Sequence, residues 1–129
     1  HLITCGSSKL DEKIAREASQ EISIEVHRSL APVLDKLRLS GWELVGLEQS
    51  THSECLFSFP FVSKTVLVIG NERLGIDPEI LDQLDRVAEI PMAGLPHSLN
   101  AATSTAVAIY EYCRQFPNGT PNPPAGVGS

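Results

Sequence analysis

No stretch of this sequence approaches the roughly 20 uninterrupted apolar residues that a membrane-spanning helix requires. No basic, then apolar, then small-residue leader is visible at its start, so nothing points to secretion and a cytoplasmic location is expected. Basic residues are scarce: 10 Lys and Arg stand against 16 Asp and Glu, a net charge of −6. Surfaces that hold nucleic acid by counterion release are usually basic, so this balance argues against tight, autonomous RNA or DNA binding, though not against a local basic patch. Cysteine is limited to Cys5, Cys55 and Cys113, an odd number set far apart. No pair has metal-ligand or redox spacing, which points to ordinary thiols in a reducing compartment and to no metal.

The 129 residues that are present fit one domain, and with 42% apolar and 20% charged residues they have the composition of a globular core and a soluble surface. Leu2 to Cys5 already reads as a buried strand, so the domain, placed at residues 1–116, is expected to be incomplete at its N-terminal side. Short apolar runs then alternate with amphipathic stretches. Ser7 or Ser8 is positioned to cap a helix to about Gln20, in which Leu10, Ile14 and Ala18 recur at four-residue spacing. Strands are expected at Ile22–Val26, Trp42–Leu47, Thr65–Ile69 and Arg86–Ile90. Ser29 opens a helix that turns Leu30, Val33, Leu34 and Leu37 inward and stops at Gly41. Asp77-Pro78 opens a short helix to about Leu84, and Ser98 is expected to cap a long last helix ending near Phe116. Leu99, Ala102, Ala106, Ile109, Cys113 and Phe116 would form its single buried seam. The remainder, residues 117–129, is rich in Pro and Gly and is expected to be a disordered tail.

Strands alternating with helices imply right-handed crossovers and an α/β fold, a mostly parallel sheet with helices on both faces. Ligands in such sheets bind beyond the carboxyl ends of the strands, here just after Leu47, Ile69 and Ile90. Two segments at those places carry unusual residues. In Val68-Ile69-Gly70-Asn71-Glu72-Arg73-Leu74-Gly75, a glycine directly after a buried strand allows close approach of backbone to a ligand. Its glycines have the spacing of a phosphate loop, but Ile76-Asp77 stands where Lys-Ser/Thr is needed, so that chemistry is rejected. In Glu89-Ile90-Pro91-Met92-Ala93-Gly94-Leu95-Pro96-His97-Ser98-Leu99-Asn100, an irregular loop leads to a helix whose first amides are free donors. No G-x-S-x-G elbow surrounds Ser98, which argues against a hydrolase. The small residues of 101–106 make a helix slim enough to pass close to other backbone.

Ile69-Gly70-Asn71-Glu72-x-x-Gly75, then Ile90-Pro91-Met92-x-Gly94-x-x-x-Ser98-Leu99-Asn100, then Tyr110-Glu111, closely resemble motifs 2 and 3 of the SpoU branch of the SPOUT methyltransferases. The resemblance extends from the first residues to about Phe116. It implies transfer of a methyl group from S-adenosylmethionine to a ribose 2′-hydroxyl of tRNA or rRNA, a deep trefoil knot in the C-terminal third, and a homodimer. It also implies cofactor contacts from Leu47, Glu48, Gln49, Gly70, Ile90, Met92, Leu99 and Ala101, and a catalytic set of Glu72, Ser98 and Asn100. The family's first motif, with an Asn and an Arg assigned to activating the hydroxyl, has no counterpart here, and this chain alone is therefore expected to transfer methyl groups poorly. The other expectation open at this point is a non-catalytic, dimeric SPOUT-like module that docks on RNA or protein.

Overall fold

The apolar run Thr-Val-Leu-Val-Ile forms a strand at Thr65–Ile69, paired in parallel with Glu43–Leu47 from Glu43↔Thr65 to Leu47↔Ile69. The computed structural model describes residues 1–5, 24–71, 74–92 and 100–119. In chain order these form β1 (Leu2–Cys5), β2 (Ile24–His27), α1 (Leu30–Leu39), β3 (Glu43–Leu47), β4 (Glu54–Cys55), a 3-10 turn (Leu56–Ser58), β5 (Thr65–Ile69), α2 (Pro78–Leu81), β6 (Arg86–Glu89) and α3 (Ala101–Gln115). The helix expected between Ser7 and Gln20 lies outside the described residues, as does the tail from Thr120 onward. None of the described helices is long and apolar enough to cross a membrane. The described residues divide into two compact units, one within His1–Ser40 and the other from Gly41 onward.

In the first unit β1 and β2 pair in parallel, Leu2↔Ile24 through Cys5↔His27. On α1, Val33, Leu34 and Leu37 are buried, while Lys36 and Arg38 stand in the last turn, where their charge complements the helix dipole. Ser29 occupies the N-cap position with extended backbone but makes no side-chain cap bond. The Ser40 amide closes the helix on the Lys36 and Leu37 carbonyls, both at 3.1 Å, and Gly41 follows with a φ of 89°.

The larger unit is a four-stranded, wholly parallel sheet in the order β4-β6-β3-β5. Its core joins Val45 of β3 and Ala88 of β6 to Leu56, Phe59, Phe61, Ala108 and Tyr112, with Leu47, Leu67, Ile90 and Phe116 at the margin. The Val, Leu and Phe side chains of this core contribute about 1.5–3 kcal/mol each on full burial. Phe61 meets Tyr112 edge-on with ring centres 5.6 Å apart, and Tyr112 stacks on Phe116 at 5.0 Å. Polar contacts fix the same packing. The Phe61 amide donates to Gln115 Oε1 at 2.9 Å, Gln115 Nε2 donates to the Phe59 carbonyl at 2.8 Å, and the Tyr112 hydroxyl donates to the Ser63 carbonyl at 2.6 Å.

This packing overturns the expected seam of the last helix. Ala102, Ala106, Ile109 and Cys113 are exposed, and the face turned to the core carries Ala108 and Tyr112. The helix has apolar residues on two faces, and spacing alone does not say which face the aromatic cluster of the 59–63 segment selects. β4 was also not expected. Two residues with one carboxylate carry no apolar run, and this strand exists because it pairs with β6, Glu54↔Ala88 and Cys55↔Glu89. α2 stops at Leu81, short of Leu84, because the Gln83 and Leu84 amides bond to carbonyls three residues back, Ile80 and Leu81, as a tightening turn. Asp77 caps it as expected, accepting from the Glu79 amide at 2.9 Å.

Candidate functional site

With all four strands parallel, their carboxyl ends share one edge, and there the larger unit encloses a cleft of about 560 Å³. β3 brings Leu47, Glu48 and Gln49 to it, and β5 brings Ile69, Gly70 and Asn71. β6 and the residues after it add Glu89, Ile90 and Met92, and the start of α3 adds Asn100, Ala101 and Ser104. Leu47, Glu48, Gln49, Gly70, Ile90, Met92, Ala101 and Asn100, singled out from the sequence, thus line one cleft. Glu72, Ser98 and Leu99 lie outside the described residues. Ile69, Asn71, Leu74, Gly75, Glu89 and Ser104 line the cleft without having been placed in that set. Two of them had a readable signal: Glu89 directly precedes Ile90 at a strand end, and Ser104 lies one helical turn beyond Asn100.

The turn after β5 is closed on itself. The Asn71 amide donates to the Gly75 carbonyl at 3.0 Å and the Gly75 amide returns a bond to the Asn71 carbonyl at 2.8 Å. Asn71 Oδ1 accepts from the Leu74 amide at 3.3 Å. Gly75 sits at a φ of 71°, which a side chain rarely adopts, and a Cβ there would overlap the Glu48 carboxylate. That carboxylate accepts from the Ile76 amide at 3.0 Å.

Gly70 proves to serve a different approach from the one its position suggests. A Cβ on it would run into the Gly75 carbonyl carbon and the Ile76 nitrogen, so the backbone that comes close is the chain's own returning turn.

Asn100, and not Ser98, is the N-cap of α3: its Oδ1 accepts from the Thr103 amide at 2.8 Å, and its carbonyl accepts from the Ser104 amide at 2.9 Å. Its Nδ2 group is therefore what it can offer a ligand. The described lining includes two carboxylates, Glu48 and Glu89, and no Lys, Arg or His. With Leu47, Ile69, Ile90 and Met92 beside them, the described lining joins apolar surface to two carboxylates.

A parallel α/β sheet with a small-ligand cleft at its carboxyl edge defines the class of this unit. Comparison with known proteins makes it specific. The sequence profile of the SpoU rRNA Methylase family matches residues 1–110. The mouse tRNA (guanosine(18)-2'-O)-methyltransferase TARBP1 is 35% identical over 125 residues, which cover 95% of this chain and 8% of the mouse protein. The tRNA (guanosine(18)-2'-O)-methyltransferase of Aquifex aeolicus is 32% identical over 108 residues, 84% of this chain and 51% of that protein. Among solved structures, the SpoU methyltransferase AviRb from Streptomyces viridochromogenes in complex with AdoMet superposes with a TM-score of 0.75 at 32% identity, covering 92% of this chain and 51% of that one. This chain belongs to the SpoU rRNA methylase family. It spans about half the length of the bacterial relatives and a small part of the mouse protein.

Proposed function

We propose that this chain forms the S-adenosylmethionine-binding part of an RNA 2′-O-ribose methyltransferase that acts on tRNA or rRNA. The observation that carries the reading is the single cleft at the sheet's carboxyl edge, lined together by the ends of β3, β5 and β6 and the start of α3. The residues there fit such a cofactor in size and in charge. A volume of about 560 Å³ lies within the range of small-molecule sites, and the two carboxylates among the described lining residues favour a sulfonium and an ammonium. Bound S-adenosylmethionine supplies an electrophilic methyl group.

The chain's own part is binding and alignment. Leu47, Ile69, Ile90 and Met92 offer apolar surface for a purine ring, and the main chain at Gln49, Gly70 and Ala101 offers polar groups without bulk. Asn100 would orient the acceptor ribose through Nδ2, its Oδ1 being engaged by the cap. Glu72 and Ser98 complete the proposed catalytic set, and Leu99 the cofactor set. The reading carries with it the deep trefoil knot, supported by the small side chains of 101–106 and by the insertion of β6 between β3 and β4. It also carries a homodimer, supported by the exposed apolar face of α3, where Ile109 is 48% and Tyr110 79% exposed.

Calorimetric titration of S-adenosylhomocysteine into the chain tests the binding, and absence of heat at micromolar to millimolar ligand refutes it. Tritium transfer to unmodified tRNA and rRNA, measured on a protein that carries the family's first motif ahead of this chain, tests the activity. Loss of transfer in Asn100→Ala is the expected result.

A further inference from the structure

Two features meet at one carboxylate, and a third lies beside it. The Ile76 amide donates to Glu48 Oε1 at 3.0 Å across 28 residues of sequence. Gly75 has no room for a side chain because that same oxygen occupies the place of its Cβ. Gly70 has none because the Gly75–Ile76 backbone lies against it, with the Gly75 carbonyl oxygen 2.6 Å from where a Cβ would stand. The turn is thus gripped from β3 by Glu48 and seated on β5 at Gly70, and its own reciprocal bonds between Asn71 and Gly75 close it.

We infer that Glu48 is the positioning residue of this turn: its carboxylate holds the Ile76 amide and thereby fixes the closed Asn71–Gly75 turn at the edge of the cleft. This deepens the methyltransferase reading and rests on it. It also adds to the role given to Glu48. Beside the cofactor contact expected of it as a lining residue, Glu48 also bonds to the chain itself through Oε1. A hydrogen bond to an ionised acceptor in a partly buried place is among the stronger ones available to a loop. Gly75 takes its left-handed conformation without the penalty a side chain would carry, so the turn can close fully onto the Glu48 carboxylate.

The grip needs an acceptor oxygen and not a charge, and this separates it from a direct contact with a cationic ligand. Glu48→Gln keeps an oxygen at the same reach; Glu48→Ala removes it. The readout is amide hydrogen exchange at Ile76 and Gly75 in the full chain, followed by nuclear magnetic resonance, beside calorimetry with S-adenosylhomocysteine. Glu48→Gln is expected to keep most of the exchange protection of both amides, while its affinity also reports the charge removed from the cleft. Glu48→Ala is expected to exchange about tenfold faster at both amides and to bind about tenfold more weakly, the size of one lost charged hydrogen bond. Unchanged exchange in Glu48→Ala overturns the inference. So does a Glu48→Gln protein that exchanges as fast as Glu48→Ala, since an acceptor oxygen at the same reach would then not hold the turn. If Glu48→Ala fails to fold, exchange in Glu48→Gln measured against the parent decides the same point. If the parent binds no S-adenosylhomocysteine, the functional reading fails, and the exchange data still decide whether Glu48 holds the turn.

Discussion

The Arg86 guanidinium lies over the Phe59 ring, 3.8 Å from its centre, while its Nε and Nη2 donate to the two carboxylate oxygens of Glu54 at 2.9 and 3.0 Å. Its Nη1 donates to the Pro60 carbonyl at 2.9 Å and reaches Glu43 Oε1 at 3.4 Å. One side chain on β6 therefore fastens both neighbouring strands and the segment that follows β4. The exposed ion pair with Glu54 contributes less than the contacts with Phe59 and Pro60, because solvent screens it. Arg86→Ala is expected to lower unfolding free energy by about 2 kcal/mol. Arg86→Lys should recover less than half, since an ammonium cannot cover the ring and fork onto Glu54 together. Urea denaturation of the three proteins checks both values.

Two carboxylates make stability depend on acidity. Hydrogen bonds from Arg86 hold Glu54 below the usual carboxylate range, and those from Arg114 and then Gln115 bring Glu111 from 4.5 to about 2. A pKa lowered by folding adds stability that is complete above the unfolded value and disappears as pH falls through the folded one. The urea midpoint should therefore be flat above about pH 5 and decline between about 4.5 and 2. Glu111→Gln should show a shallower decline over that window, and an unchanged slope would remove Glu111 from this account.

Tyr112 is 6% exposed, and its hydroxyl ends on the Ser63 carbonyl. Tyr112→Phe keeps the rings in contact but leaves that carbonyl without its donor, at a cost of about 1 kcal/mol. Tyr112→Ala removes the aromatic stack as well and should cost about 3–5 kcal/mol. Thermal unfolding of the two variants should rank them in that order.

Gly70→Ala is the smallest change that tests the turn after β5. Its Cβ would meet main-chain atoms of Gly75 and Ile76, which cannot swing aside as a side chain would. The far-ultraviolet circular dichroism should stay near that of the parent, because only the turn is displaced. Affinity for S-adenosylhomocysteine should fall by more than about tenfold. A variant that binds like the parent would show that the turn does not shape the site.

The outward face of α3 predicts self-association. Ala106, Ile109 and Tyr110 are exposed on it, so a charge placed there leaves the core of the unit untouched. Sedimentation velocity at about tens of micromolar should give the parent twice its monomer mass and Ile109→Glu the monomer mass. A monomeric parent would count against the dimer.

The sheet was legible because its central strands announce themselves. Leu44-Val45 and Val66-Leu67-Val68-Ile69 are apolar on both faces, as a covered parallel strand must be. The cleft followed from them, since the carboxyl ends of β3, β5 and β6 bring Glu48, Gly70 and Ile90 together whatever the loops do. What escaped was fixed by partners far along the chain. Glu54-Cys55 becomes a strand only beside β6, and α3 turns Tyr112 inward because Phe61 and Ser63 await it. Gly70 was read as making room for a ligand because a sequence does not say that its own Gly75–Ile76 segment folds back onto it.

The strand order has a consequence for how the larger unit comes to exist in time. β3 and β4 follow each other in the chain yet never touch as strands; β6 lies between them. β3 can pair early with β5, its neighbour in space, but the Glu54–Cys55 segment has no ladder to join until Arg86–Glu89 has been made and has slid into place. The last strand of this sheet in sequence is therefore central in space, and the sheet is complete only when it is in place. Glu43 and Glu54, on the two strands that flank β6, share Arg86 as their common cation, so the charge balance of the sheet is complete only with its middle strand.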